Sequence, residues 1–249
     1  MLQVSNLSIT FGGLRAVRNM SFTVAAQERV AIIGSNGAGK STLFNLISGA
    51  LRPETGRVMF DGRVITAMSA HQRVRLGLAR SFQRSSVFSK MTVYANVLAA
   101  VMIHRRRGLD IFGAVTSDPT ADDALHSVGL YEQRGRLAGT LALGDQKRLE
   151  LALVLAVQPR LMLLDEPTAG MSVEETASSV ALIERLARER GFGLLFTEHD
   201  MSVVFGVAQR VMVLSQGLII AQGTPDEIRA NPEVQRLYLG APNTESPHA

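Results

Sequence analysis

The chain has 249 residues, of which 46% are hydrophobic and 19% are charged, and its formal net charge at pH 7 is +4. This composition is typical of a folded globular protein and excludes a disordered or fibrous one. The absence of cysteine excludes disulfides, thiolate metal sites and cysteine nucleophiles, and the small positive charge does not indicate a nucleic-acid partner.

The amino terminus and the apolar segments give no sign of export or membrane insertion. Residues 1–6 lack the basic and apolar regions of a secretory signal. The most apolar runs, 95–103 and 151–157, are shorter than the roughly 20 residues that span a bilayer. We therefore expect a chain that stays in the compartment where it is made and has no transmembrane helix.

Strand and helix patterns alternate along the chain, except in a central stretch that is mainly helical. The predicted strands cover residues 2–10, 16–24, 28–33, 78–82, 161–164, 194–196, 211–214 and 218–221. The predicted helices begin at Lys40 and near Met201 and cover 70–76, 93–107, 119–128, 143–157 and 173–190. This order predicts an α/β fold with a parallel sheet and a helical subdomain inserted over residues 84–159.

The sharpest motif is a glycine-rich segment, 34–42, which has the pattern G-x-x-x-x-G-K-[ST] and lies between a predicted buried strand and a helix. Backbone amides of such a loop, together with the helix N-terminus, bind phosphate groups. We expect Lys40 to reach the β- and γ-phosphates and Ser41 to bind Mg²⁺. The residues expected to contact the nucleotide are Ser35, Asn36, Gly37, Ala38, Gly39, Lys40, Ser41 and Thr42.

A second motif places two carboxylates directly after the predicted strand 161–164. The carboxyl ends of parallel strands meet at one edge of a sheet, so Asp165 and Glu166 should lie beside the phosphate loop. Asp165 is suited to hold Mg²⁺ through water, and Glu166 to polarise the attacking water.

Three more segments carry a family resemblance: Phe11-Gly12-Gly13, Ser81-Phe82-Gln83 and Thr197-Glu198-His199-Asp200. With the two motifs above, they make the chain similar from end to end to the ATPase subunits of ABC transporters. The resemblance implies a P-loop NTPase (RecA-like) parallel-sheet core, an N-terminal antiparallel β subdomain and the inserted helical subdomain. These form one domain over residues 1–240, and residues 241–249 should be a flexible tail.

The resemblance also implies roles for single residues. Phe11 matches the aromatic position that stacks on adenine. Gln83 matches the glutamine that senses Mg²⁺ and the attacking water, and His199 matches the switch histidine that contacts the γ-phosphate. ATP and Mg²⁺ are the implied cofactors.

The family signature, ordinarily Leu-Ser-Gly-Gly-Gln, corresponds here to Leu141-Ala142-Leu143-Gly144-Asp145 followed by Gln146. Ala142 offers no hydroxyl to the nucleotide across a dimer, Leu143 replaces a glycine and Asp145 adds a charge. Ala142 and Gly144 remain the expected nucleotide contacts. We predict weakened but not abolished closure, because a lost hydrogen bond to a charged group costs about 1.5 to 3 kcal/mol.

Several segments resemble the branched-chain amino-acid uptake branch of the family, including Ala169-Gly170-Met171 and Gly223-Thr224-Pro225. Directly after Ala169-Gly170-Met171, Ser172 stands where the family usually has aspartate. The resemblance implies a head-to-tail dimer with a second, different ATPase, two permease subunits, an indirect periplasmic or surface substrate-binding protein, and a peripheral position on the cytoplasmic face of the inner or plasma membrane. Phe88, Met91 and Val93 are candidate permease contacts.

Other functions remain open at this point. An ABC ATPase acting on DNA or ribosomes usually has a long insertion or two tandem ATPase domains, for which 249 residues leave no room. A GTPase would need an Asn-Lys-x-Asp element that the chain lacks. Lipid or lipopolysaccharide export and urea or amide uptake remain alternatives. The sequence also leaves open the substrate, the identity of the partners and whether the dimer is a homodimer or a heterodimer.

Overall fold

Two β-sheets organise the chain in the computed structural model, which describes residues 1–81, 87–105 and 117–239. The strands are β1 (Leu2–Phe11), β2 (Leu14–Val24), β3 (Arg29–Gly34), β4 (Thr55–Phe60), β5 (Arg63–Val64), β6 (Leu78–Arg80), β7 (Leu161–Asp165), β8 (Gly193–Thr197), β9 (Arg210–Ser215) and β10 (Leu218–Gly223). The helices are α1 (Lys40–Ser48), α2 (Ala70–Arg75), α3 (Val93–His104), α4 (Pro119–Val128), α5 (Leu143–Leu155), α6 (Val173–Arg190), α7 (Met201–Val207), α8 (Pro225–Ala230) and α9 (Pro232–Val234).

The six-stranded sheet has the order β10-β9-β3-β8-β7-β6. Strands β9, β3, β8, β7 and β6 are parallel, which confirms the predicted α/β fold with a parallel sheet. Strand β10 instead pairs antiparallel with β9. The reason is the connection, since only Gln216 and Gly217 join the two strands, whereas a parallel pair needs a crossover of a dozen or more residues.

The second sheet is antiparallel, with the order β2-β1-β4-β5, and confirms the implied antiparallel β subdomain. It packs over one face of the parallel sheet together with α1. On β3, Val30 and Ile32 point into this core, whereas Ala31 and Ile33 point into the core under the helices. Burial on both faces explains the continuous apolar sequence of this strand.

The inserted helical region contains α3, α4 and α5, which pack on one another. Helix α4 has the bounds that its sequence predicts, because Asp118 caps its start and Gly129 ends it in a left-handed conformation. Val93 is fully buried in this core, so its prediction as a permease contact is wrong. Its branched side chain follows the helix cap Thr92 and faces the neighbouring helices.

A buried arginine braces the end of α1. Arg73 has no exposed surface and donates to the carbonyl oxygens of Leu46, Ile47, Thr66 and Met68 at 2.6 to 3.1 Å. Burial lowers the pKa of Arg73 to about 10, so it remains charged at pH 7. The guanidinium therefore satisfies the last carbonyls of the helix that begins at Lys40.

Some predictions fall outside the described residues. Gln83 and Phe82, the end of the predicted helix 93–107, and the tail 241–249 are among them. Within the described ranges, no helix combines the length and apolar character needed to cross a membrane. The extent of the single domain, 1–240, and of its helical subdomain, 84–159, stays a prediction.

Candidate active site

The predicted phosphate loop connects β3 to α1 in the middle of the parallel sheet. Gly39, the residue before α1, has a φ of 104°, in the left-handed region that favours glycine. A Cβ at this position would lie 2.3 Å from the carbonyl oxygen of Ala16. Glycine is thus required for both conformation and close approach, and it lets the chain turn from a buried strand into a helix N-terminus.

Lys40 reaches back across this loop. Its side chain is largely buried, with 7% of the residue exposed, and Nζ donates to the carbonyl oxygens of Gly34 at 2.5 Å and Ser35 at 3.2 Å. Burial lowers the pKa of Lys40, while the carboxylates of Glu166 and Asp165 act in the opposite direction. The predicted phosphate-binding lysine therefore interacts electrostatically with both predicted carboxylates.

Asp165 ends β7 and is 5% exposed. Its Oδ1 accepts a hydrogen bond from the Thr197 hydroxyl at 2.7 Å, and its Oδ2 lies 2.9 Å from a guanidinium nitrogen of Arg80. Thr197 and Arg80 end the neighbouring strands β8 and β6. The sheet register thus places side chains from three strand ends around one buried carboxylate.

Glu166 follows with a φ of 50°, a left-handed conformation that is uncommon for a residue with a side chain and occurs often at functional sites. Its backbone N–H donates to the carbonyl oxygen of Thr197 at 3.1 Å. Its Oε1 lies 2.8 Å from Nε2 of His199. The turn brings together the predicted base and the predicted switch histidine, which are 33 residues apart.

A second buried carboxylate, Glu198, was not predicted from the sequence. Its Oε1 accepts from the backbone N–H and hydroxyl of Thr168 at 2.9 and 2.7 Å, and its Oε2 accepts from the N–H of His199 at 3.2 Å. Glu198 therefore fixes the turn after β7 to the loop that carries the histidine. The signal in the sequence was a third acid at the end of a buried strand.

An open cavity of about 380 Å³ lies beside the phosphate loop. Its walls include Ser35, Asn36 and His199, so the structure brings part of the predicted phosphate loop and the predicted histidine to one space. Ser41 lies exposed at the start of α1, Thr42 is half-buried behind it, and Gly37 and buried Ala38 complete the loop. The site accordingly combines the backbone amides of the loop, the ammonium of Lys40, the carboxylates of Asp165 and Glu166 and the imidazole of His199.

Three predicted contacts, Phe11, Ala142 and Gly144, lie outside both the phosphate loop and the residues that line this cavity. Phe11 is 45% exposed at the end of β1, where a planar ligand can stack on its ring. Ala142 and Gly144 lie at the start of α5, on the helical region. Ala142 is the N-cap residue and provides no side-chain cap, and the role of both positions as nucleotide contacts stays a prediction.

The departures in the signature segment have local partners. Asp145 lies in the first turn of α5, where a negative charge is favourable. It accepts a hydrogen bond from Gln133 at 3.0 Å and lies 3.9 Å from Arg148. Leu143 is 46% exposed. The added charge is therefore partly compensated within the chain, whereas the added leucine has an exposed apolar surface.

Ser172, where aspartate is usual, caps α6. Its side chain accepts from the N–H of Glu175, and the Glu175 carboxylate accepts from the N–H of Ser172 at 3.0 Å. This reciprocal arrangement is a capping box. Serine therefore caps the helix, as aspartate also can. The backbone N–H of Met171 donates to the carbonyl oxygen of Thr168 in the turn before it.

Two models of known protein families match this chain. A family model described as ABC transporter matches residues 17–169. A second model, described as branched-chain amino acid ATP-binding cassette transporter, matches residues 219–242.

Two relatives and one solved structure illustrate the similarity. The high-affinity branched-chain amino acid transport ATP-binding protein LivG of Salmonella typhimurium is 39% identical over 251 residues, covering 96% of this chain and 98% of LivG. The lipopolysaccharide export system ATP-binding protein LptB of Escherichia coli K12 is 34% identical over 239 residues, covering 96% of this chain and 97% of LptB. The ADP conformation of MJ1267, an ATP-binding cassette of an ABC transporter, superimposes with a TM-score of 0.85 at 27% identity, covering 96% of this chain and 98% of that one. The motifs, the fold and the relatives together show that the chain belongs to the ABC transporter family, as one of its ATP-binding, ATP-hydrolysing subunits.

Proposed function

We propose that this chain is the ATP-hydrolysing subunit of an ABC importer that takes up amino acids, most specifically branched-chain amino acids. The observation that carries the proposal is the 39% identity to LivG over 98% of its length. The separate match of residues 219–242 to the branched-chain amino acid model supports the same substrate class from the other end of the chain.

At the phosphate loop, the chain binds ATP through its backbone amides and Lys40. Lys40 already lies inside the loop, where its ammonium contacts only carbonyl oxygens among the described residues. Phosphate oxygens are stronger acceptors than those carbonyls because they carry negative charge. Phe11, exposed at the edge of the β subdomain, offers its ring to the adenine.

The residues present fit a magnesium ion that comes with the nucleotide. Among the described residues, no group of three or more histidine, cysteine or acidic side chains is arranged to hold a metal alone. Mg²⁺ bound to nucleotides usually takes one or two protein oxygen ligands besides phosphates and water, and the Ser41 hydroxyl and the Asp165 carboxylate supply such oxygens. When bound, Mg²⁺ neutralises charge on the β- and γ-phosphate oxygens.

For hydrolysis, Glu166 accepts a proton from the water that attacks the γ-phosphorus, and the products are ADP and phosphate. His199 contacts Glu166 through Nε2 and, in this proposal, donates a hydrogen bond to the γ-phosphate. Gln83 keeps its expected role in sensing Mg²⁺ and water. Because the side chains of Glu166 and His199 are 28% and 53% exposed, a nucleotide can approach the pair.

A second ATPase subunit completes the site in this proposal. The exposed start of α5, with Ala142 and Gly144, caps the nucleotide bound to a head-to-tail partner. The free N–H groups of the first helical turn serve this purpose even without the usual serine. A different ATPase as partner is consistent with unequal sites.

The permease pair docks at the groove between α2, β6, α3 and α5. A cavity of about 200 Å³ lies there, with mostly apolar walls that include Val74, Ile103 and Leu153. Ile103 is 51% exposed, and Phe88, the candidate contact that precedes α3, is 61% exposed. These surfaces support a peripheral position at the cytoplasmic face of the membrane, beneath permeases fed by a substrate-binding protein.

The experiment is a purification of the tagged chain from detergent-solubilised membranes of its native host, followed by mass spectrometry. Recovery of two different permeases and a second ATPase supports the importer. LptB is also a relative over nearly the whole chain, so recovery of export-type membrane proteins instead would replace the amino-acid assignment with lipopolysaccharide or lipid export. Recovery with ribosomes or DNA and without membrane proteins would overturn the transport proposal.

A further inference from the structure

Arg80 is a largely buried cation at the edge of the candidate active site, and the motifs did not identify it. It is the last residue of β6, the strand beside β7. Its side chain is 10% exposed, and one guanidinium nitrogen lies 2.9 Å from Oδ2 of Asp165. A contact between a guanidinium and a carboxylate at this distance is a charge-assisted hydrogen bond, which is stronger and more directional than a neutral one.

The other guanidinium nitrogen of Arg80 points to α1. It donates to Oδ1 of Asn45 at 2.6 Å and lies 3.4 Å from the hydroxyl of Ser48. The guanidinium carbon also lies 5.6 Å from the centre of the Phe44 ring. Arg80 therefore joins the helix that begins with Lys40 to the carboxylate at the end of β7.

The surroundings of Asp165 show what this contact controls. Oδ1 accepts from Thr197 and Oδ2 from Arg80, so both oxygens are held and each keeps a lone pair for another ligand. Arg80 is the one cationic side chain that contacts Asp165 among the described residues. Without it, a single hydroxyl would hold the carboxylate, which could then rotate about its own χ angles.

We propose that Arg80 is a positioning residue that orients the Asp165 carboxylate for the magnesium ion of MgATP and links that carboxylate to α1. The inference rests on the proposed role of Asp165 and goes beyond it. Partners that hydrogen-bond a metal ligand set its orientation, and their loss typically lowers metal affinity about 10- to 100-fold. The planar fork of arginine is needed because it reaches α1 and β7 at once, which the single ammonium of lysine does not do.

The test separates metal binding from nucleotide binding and from stability. Binding of a fluorescent ATP analogue to the purified full chain is measured first in EDTA and then during a Mg²⁺ titration, beside the melting temperature. The variants are Arg80→Gln and Arg80→Lys. The control is Arg160→Gln, since Arg160 also forms an ion pair, with Asp61, but is 62% exposed and outside the site.

We expect Arg80→Gln to bind the analogue in EDTA within twofold of the wild type and to need about 10-fold more Mg²⁺ for the metal-dependent increase in affinity. Arg80→Lys should need an intermediate concentration, and Arg160→Gln should titrate like the wild type. If Arg80→Gln does not fold, the lysine variant gives the same comparison.

A lower melting temperature with an unchanged Mg²⁺ midpoint would mean that Arg80 is only structural and would overturn the inference. The Asp165→Asn variant distinguishes a wrong positioning role for Arg80 from a wrong magnesium role for Asp165. If Asp165→Asn shifts the midpoint and the Arg80 variants do not, the positioning role alone is wrong. If neither shifts it, the magnesium role of Asp165 is wrong, and the inference fails with it.

Discussion

The phosphate-loop side of the candidate active site and the signature segment are held in different ways. Lys40 and Asp165 are 7% and 5% exposed, and each has two polar partners within the chain. At the start of α5, by contrast, Ala142 caps nothing with its side chain, and Leu143 is 46% exposed. One side is assembled by the fold of this chain, whereas the other, in the proposed head-to-tail dimer, meets a nucleotide on a second molecule.

This difference explains where the sequence tolerates change. Gly39 cannot be replaced without a clash, since a Cβ would lie 2.3 Å from a backbone oxygen. Ala142, Leu143 and Asp145 replace the usual signature residues without breaking a contact within the fold, and Asp145 gains Gln133 and Arg148 as neighbours. Substitutions on the first side should therefore remove activity, and substitutions on the second should adjust it.

The largest effect is expected from Glu166→Gln. Turnover should fall by about 10² to 10⁴, the usual share of a general base, because the amide cannot take the proton of the attacking water. ATP binding should stay within a few-fold of the wild type. Steady-state ATPase assays and equilibrium binding measure the two quantities.

Glu189→Gln is the matched control, since Glu189 is 55% exposed on α6 and, among the described residues, forms an ion pair only with Arg185, at 3.8 Å. Its turnover should equal that of the wild type. A normal rate for Glu166→Gln would show that another group acts as the base.

Lys40→Ala should weaken ATP binding by about 10- to 100-fold, because each lost hydrogen bond to a charged group costs about 1.5 to 3 kcal/mol. Lys90→Ala is the control, since Lys90 is exposed outside the loop and is one of only three lysines in the chain. Isothermal titration calorimetry with ATP measures both affinities. Equal affinities for the two variants would remove Lys40 from the site.

Ala142→Ser should change activity in the opposite direction. A serine at this N-cap adds a hydroxyl for the nucleotide across the dimer and a cap for α5, which stabilises a helix by about 1 kcal/mol. We expect the ATPase rate of the assembled complex to rise up to about 10-fold. Ala230→Ser, at an exposed position on α8, should leave the rate unchanged. A higher melting temperature without a higher rate would mean that the signature departure does not limit closure.

The smallest effect concerns His104, which lines the groove between α2, β6, α3 and α5. Burial, followed by Arg105, Arg75 and His71, lowers the pKa of His104 below 6.5. Below pH 6.5 the unfolded chain therefore binds more protons at His104 than the folded chain does. The free energy of unfolding consequently falls as the pH drops below 6.5, whereas above pH 6.5 this residue does not lower it. Between pH 7.5 and 5.5, the melting temperature of the wild type should fall further than that of His104→Gln. An equal loss would contradict a lowered pKa of His104 in the folded chain.

Much of this account could be predicted from the sequence, for identifiable reasons. The phosphate loop is a continuous motif, and the bounds of α4 and α6 follow from caps that lie next to them. Arg80 and Asp165, by contrast, are 85 residues apart, and nothing local indicates their contact. Sheet order alone makes them neighbours.

The same limit applies to Val93 and Glu198. Val93 belongs to an apolar run in which exposed and buried residues look alike, so its prediction as a surface contact was wrong. Glu198 has no adjacent cation to indicate its role, and its partner Thr168 lies 30 residues earlier. Burial and long-range pairing decide both positions, and the only short-range signal for Glu198 is that an acid directly follows a buried strand.

The most direct test of the central claim measures uptake of radiolabelled leucine in the native host after its own gene is replaced by the Glu166→Gln variant. If hydrolysis at this site drives branched-chain amino-acid import, uptake should fall to the level of a deletion strain, and the Glu189→Gln strain should take up leucine like the wild type. Uptake at the wild-type rate in the Glu166→Gln strain would contradict the claim.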